Sequence, residues 1–152
     1  AAEEKAEAQR RAAEEKAQKL AETIGEQAQK GKIDNALTTL QQLQQQFPTY
    51  QVTADTWNSL CWDGSTYNQA AKVLFACDKA VALDPKNAEY IDSRGLARAL
   101  TGNISGAIAD FTTFIKATDN AERKAQRQAW VRDLQAGKNP FTAAVLKSLR
   151  GQ

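Results

Sequence analysis

The residues of this chain best suited to chemistry are its carboxylates, two cysteines and three tryptophans, because histidine is absent altogether. Without histidine there is no Ser-His-Asp or Cys-His nucleophile pair, no imidazole acid–base catalyst and no His-based zinc site. Asp55 and Asp63 form a carboxylate pair that could in principle do acid–base work. They stand eight residues apart, and each equally suits an ordinary helix surface or helix end. Cys61 and Cys77 are too few for a disulfide framework or a four-ligand zinc site. Both sit in apolar helical surroundings and are expected to be buried free thiols; a bridge requires that their helices pair closely. "GNISG" (102–106) has glycines but no lysine, so it is not a phosphate loop, and no acidic run has calcium-loop spacing. The expectation is a non-enzyme with no catalytic, cofactor-binding or metal-binding residues, no cofactor and no small-molecule substrate.

Such side chains must be positioned by helices. Ala, Leu, Gln, Glu, Lys and Arg dominate, β-branched runs are scarce, and only Pro48, Pro85 and Pro140 interrupt. At 152 residues and 42% hydrophobic content the chain can bury one core, with room for an extension. A net charge of +2 disfavours nucleic acid or a membrane surface as partner. Residues 101–152 are mildly basic, and Arg123, Lys124, Arg127, Lys138, Lys147 and Arg150 form a weak candidate for contact with an anionic surface. There is no run of 18 apolar residues to span a membrane and no visible signal peptide. The chain lacks methionine, so segments upstream, an anchor included, stay open; the compartment is open too, with a soluble cytoplasmic one as the leaning expectation.

Residues 1–19 are a charged helical extension of Ala, Glu, Gln, Lys and Arg, continuing as helix to about Lys30. Ala6, Ala13 and Leu20 recur every seven residues, as do Ala17 and Ile24, a weak seam for self-association. Ile33, Ala36, Leu37, Leu40 and Leu43 share one helical stripe closed by Pro48. "TADTWNSLCWDG" follows and should stop at Gly64; the next helix should start from a Ser65 cap and run to Pro85. Asn87 can cap the helix ending at Gly102, and Asn103 starts the returning one. Gly106 is expected to let the paired helix approach closely. Helices at 121–137 and after Thr142 complete the chain, the first presenting Ala125, Ala129, Trp130 and Leu134 inward and Arg123, Lys124, Arg127 and Arg132 outward. Phe141 can staple onto Leu146.

"GKIDNALTTLQQLQQQFP" and "GNISGAIADFTTFIKATD" align without gaps, and Trp57 falls 34 residues before Ile91. Three helix–turn–helix units result, at 17–50, 54–87 and 88–121, followed by a closing region at 121–152. With Trp57, Leu60, Ala80 and "LDP" (83–85) in the second unit, Gly95, Ala107 and Phe111 in the third, and Gly31, Ala36, Leu40 and Pro48 in the first, the chain resembles the tetratricopeptide repeat (TPR) family. The resemblance implies an all-α, right-handed α-solenoid of three TPR units, with a long N-terminal helix and C-terminal closing helices. "NSLCW", "ACDKAVALDP" and "DSRGLARALTG" are similar to TPR modules of large multidomain bacterial signalling proteins. Cys61 stands where the family usually has a small residue, and Val73 where it usually has Ala.

In that family the first helices of successive units line a concave groove. The resemblance then implies Gln18, Ala21 and Gly25 from the first unit, Asp55, Asn58, Trp62 and Ser65 from the second, and Glu89, Asp92, Leu96 and Ala99 from the third. Arg123, Gln126, Arg127 and Trp130 of the closing helix lie beside them. Trp62, Leu96 and Trp130 are each 34 apart and should make one apolar row, edged by Asp55, Glu89 and Asp92. Asn58 could bond a peptide backbone. Two alternatives stay open: Trp130 can pack under Phe111 and Phe114, and Trp62 can be covered by the N-terminal helix. The family's chaperone-tail clamp uses Lys, Asn and Arg in this groove; here the first unit supplies Ala21 and Gly25 instead, so no chaperone-tail binding is expected. The expected function is a protein- or peptide-binding adaptor whose acidic groove edge favours Lys or Arg. The alternative is a spacer or oligomerisation element acting through the N-terminal helix.

Overall fold

A computed structural model describes all residues, 1–152, as eight helices without a strand. They are α1 (Ala2–Gln29), α2 (Ile33–Gln46), α3 (Ala54–Thr66), α4 (Ala70–Leu83), α5 (Ala88–Leu100), α6 (Ile104–Ala117), α7 (Ala121–Gln135) and α8 (Ala143–Leu149). Consecutive helices pair as hairpins, α1 with α2, α3 with α4 and α5 with α6. The first helix of each hairpin also packs on the first helix of the next, so α1, α3 and α5 form an inner layer. α7 packs on α6, and α8 returns to α3. This is a helical-repeat solenoid.

Local chemistry explains most of the boundaries. The side chains of Thr53, Asn87, Asn103, Asn120 and Thr142 each accept a hydrogen bond from a backbone N–H in the first turn of α3, α5, α6, α7 and α8. Gly31, Gly102 and Gly137 follow α1, α5 and α7 with φ of +79°, +91° and +74°, the left-handed conformation that ends a helix. The second hairpin departs from expectation. Gly64 does not stop α3, which continues through Ser65 to Thr66; the turn falls instead at Asn68, with φ +63°. Gly64 lies where a Cβ would stand 2.5 Å from the Val73 side chain, so its lack of a side chain permits close contact with α4. Gly95 does the same against Phe111. Gly106 differs from both, since a Cβ there would strike the Asn103 side chain that caps α6.

The tight α3–α4 pair also overturns the free-thiol expectation. Cys61 and Cys77 form a disulfide across it, their Cα atoms 4.8 Å apart. The main apolar cluster runs from Ala17, Ile24 and Leu40 through Trp57, Leu60 and Val73 to Tyr90 and Ile91. A second gathers Trp62, Leu96, Phe111, Trp130, Phe141 and Leu149. Each fully buried Leu or Phe in these clusters contributes roughly 1.5–3 kcal/mol. The seam residues divide: Ala17 and Ile24 are core, whereas Ala6 is exposed and Ala13 half-buried on a helix that projects beyond α2. On α7 the inward face is rotated from the one expected: Ala125 is exposed, and Arg127 is buried with Trp130 and Leu134.

Candidate functional site

The inner layer encloses a groove of about 940 Å³. α1 supplies Glu22, Gly25, Glu26 and Gln29; α3 supplies Asn58, Ser59, Trp62 and Asp63; α5 supplies Glu89, Asp92 and Ser93. Asn120, Glu122, Arg123 and Gln126 form the α7 wall, and Gly151 and Gln152 close one end. Gly25, Ser59 and Ser93 are spaced by 34 residues, so the repeat sets small residues at equivalent places along the groove. A Cβ on Gly25 would meet nothing within 4 Å.

The apolar row Trp62, Leu96 and Trp130 does gather in one cluster, but it is covered. Leu96 is fully buried, and Trp130 packs on Phe111 and Phe141 with ring centroids 5.3 and 4.9 Å away. Trp62 keeps one edge in the groove, yet its cover is the C-terminal segment and not the N-terminal helix. Its indole Nε1 donates to the Leu149 carbonyl at 3.3 Å. Arg150 holds the same segment down: its Nε donates to the Thr66 carbonyl, and its guanidinium lies 4.1 Å from the Tyr67 ring centroid. Leu149 itself is fully buried.

Between α5 and α7, which share no close backbone approach, three ion pairs make the bridge: Arg123 with Glu89, Arg127 with Asp92 and, at 3.7 Å, Arg123 with Asp92. Arg123 donates to both oxygens of Glu89 at 2.8 Å; this holds the Glu89 carboxyl below its ordinary range and raises Arg123. Arg127, 0% exposed, donates through Nε and Nη2 to the two oxygens of Asp92 and lies 4.5 Å from the Trp130 ring centroid. Burial pushes the Asp92 carboxyl up against the pull of Arg127. Asp92 therefore pairs with Arg127, while Arg94 and Arg98 both pair with Asp110 on α6. The candidate anionic-surface patch is correspondingly reduced, since Arg123, Arg127 and Arg150 are engaged within the fold.

Asp63 has the opposite environment. It is 9% exposed, lines the groove, and its carboxylate has no hydrogen-bond or ion-pair partner. Desolvation alone raises its pKa to about 6. Glu22, Glu26 and Glu122 are also without an ion pair, so every unpaired charge on the groove wall is negative. Asn58 Oδ1 is buried nearby with no donor.

Of the residues expected at the site, Asn58, Trp62, Glu89 and Asp92 line this groove, as do Gly25, Arg123 and Gln126. Asp55 does not; it accepts a hydrogen bond from the Tyr90 hydroxyl, whose pKa burial and that bond push up to about 12. Leu96, Arg127 and Trp130 lie behind the wall, and Ser65 is fully buried with no partner for Oγ. Ala21 is core, and Gln18 and Ala99 lie outside the lining. Glu22, Glu26, Ser59, Asp63, Ser93 and Glu122 were not anticipated. Stepping 34 residues from Gly25, through Ser59 to Ser93, would have found the groove centre.

No family model matches the sequence, and no curated protein matches it. Among solved structures the chain is similar to the TPR domain of P58(IPK), with a TM-score of 0.63 at 17% identity over 81% of this chain. The chain spans about a third of that structure's length, 34%. The architecture is therefore the tetratricopeptide-repeat fold: an all-α solenoid of helical hairpins.

Proposed function

We propose that the chain is a non-catalytic binding module that receives a short protein segment in the groove lined by α1, α3, α5 and α7. The observation that carries this reading is the groove itself: 940 Å³ of polar-walled space that the fold leaves open beside a fully packed apolar row. Its walls offer carboxylates, amides and hydroxyls, suited to a ligand's backbone and polar side chains. The TPR fold supports the same reading.

Gly25→Trp is the direct test, because Gly25 lines the groove and a Cβ there meets nothing within 4 Å, so the new side chain starts into open space. Peptides selected on the intact chain from a random display library should lose affinity for Gly25→Trp by about tenfold or more, with the melting temperature unchanged. Equal affinity for both proteins would remove the groove from the function.

A second reading rests on α1, whose residues 2–16 are exposed except for a half-buried Ala13. Its 28 residues extend about 42 Å, enough to space this array from a neighbouring domain or to pair with another copy. Sedimentation of the intact chain against a form lacking residues 1–16 tests pairing; an unchanged monomer in both would leave only the spacer. We further infer an oxidising compartment from the Cys61–Cys77 pairing, against the leaning expectation of a cytoplasmic one.

A further inference from the structure

We propose that the groove is selective for a lysine- or arginine-bearing polypeptide segment, one cationic side chain of which seats on Asp63 while others meet Glu22, Glu26 and Glu122. This rests on the groove reading above and adds the chemistry of the partner.

Three observations converge. First, the unpaired charges on the wall are all carboxylates, and the one lining cation, Arg123, is already bound to Glu89. Second, Asp63 is nine-tenths buried, faces the groove and has no partner within the chain. A buried carboxylate without a partner is costly to the fold, and a donor arriving from outside would offset that cost. Third, the carboxylates are spread over α1, α3 and α7, and nowhere do three ligating side chains converge as a metal ion requires. A single inorganic cation would leave most of them unmatched; several cations carried along one chain would not. The small residues Gly25, Ser59 and Ser93 leave room for that chain's backbone between the acidic walls.

The test uses the intact chain and three fluorescein-labelled glycine-spaced peptides of equal length, bearing lysine and arginine, glutamine, or glutamate at the same positions. Fluorescence anisotropy should show binding of the basic peptide alone, weakening steeply with added salt. Asp63→Asn should weaken it by at least about tenfold. Asp78→Asn, the same charge change on the exposed face of α4, should not. Removing a buried unpaired charge should raise the melting temperature of Asp63→Asn, so that loss of binding is not loss of fold. Equal binding of all three peptides, abolished by Gly25→Trp, would overturn the cationic preference and leave the groove reading intact. Binding of the basic peptide unaffected by either Gly25→Trp or Asp63→Asn would overturn both. Spermidine competing as well as the peptide would overturn the polypeptide part of the proposal.

Discussion

Two neighbouring parts of the concave face solve opposite problems. In one, Trp62, Leu96 and Trp130 are packed by Phe141, Leu146 and Leu149, and the buried charges Asp92 and Arg127 satisfy one another. In the other, Asp63 is buried without a partner in a groove whose Glu22, Glu26 and Glu122 also have none. Folding has satisfied the first region within the chain and left the second incomplete. A buried group that destabilises its own fold is a marker of a site kept for something else. The difference teaches that the most apolar part of this concave face is core, and that the groups the fold leaves unsatisfied, on which the proposed binding rests, lie in the polar remainder.

Five variants can break or sharpen that contrast. Arg127→Ala should have the largest effect, about 3–5 kcal/mol by chemical denaturation, because Asp92 would be left buried without its bidentate partner. Arg127→Met with Asp92→Leu should recover much of that loss; failure to recover would mean that the pair does more than satisfy itself. Cys61→Ser with Cys77→Ser comes next, at about 3 kcal/mol for a closed loop of this size, with no change in which residues line the groove. Leu149→Ala should cost about 2–4 kcal/mol and shift tryptophan emission to the red as the cover over Trp62 loosens. Unchanged emission would show that the C-terminal segment does not seal the row.

Asp63→Asn should have the smallest effect and the opposite sign. With its pKa raised to about 6 in the folded state against an ordinary value of 3.8, Asp63 favours folding most when protonated. Its favourable contribution is present below pH about 4 and is lost as pH rises through about 6. At pH 7 the charged, unpartnered Asp63 costs the fold about 2 kcal/mol, discounted for residual solvent contact. The variant should therefore melt higher than the parent at pH 7 and match it at pH 4. A variant less stable at pH 7 would show that Asp63 has an internal partner and would erase the contrast between the packed row and the unpaired carboxylates.

Much of the fold was legible because hairpin repeats write themselves into periodicity. Gly31 and Gly102 mark helix ends, Asn87 and Asn103 cap, and Trp57 and Ile91 take the same fourth position in α3 and α5. The second turn was not, because a glycine inside a helix looks the same in sequence as one that ends it. Only the Val73 methyl groups reveal what Gly64 is for. The cysteine pairing followed from that close approach and was hidden for the same reason. At the site, Trp62, Leu96 and Trp130 do gather in one cluster, but Leu96 and Trp130 are core, as the alternative for Trp130 allowed, and Trp62 alone keeps an edge in the groove. Its cover, Leu149 and Arg150, comes from outside the repeats, where the spacing says nothing. Arg127 was read as a surface charge because sequence cannot show that Asp92 waits opposite it. Asp63 was singled out only as a possible acid–base partner of Asp55 and not as a groove residue, because an unpartnered charge is defined by its surroundings.

The most direct measurement of basic-segment binding in the groove is amide hydrogen exchange of the intact chain with and without the basic peptide. We expect slowed exchange confined to the groove-facing segments of α1, α3 and α7, around Glu22–Glu26, Asn58–Asp63 and Glu122–Gln126, and none of it in Asp63→Asn. Protection that falls on α2, α4 or α6 while these segments stay unchanged would place the ligand on the outer face and contradict the groove as its site.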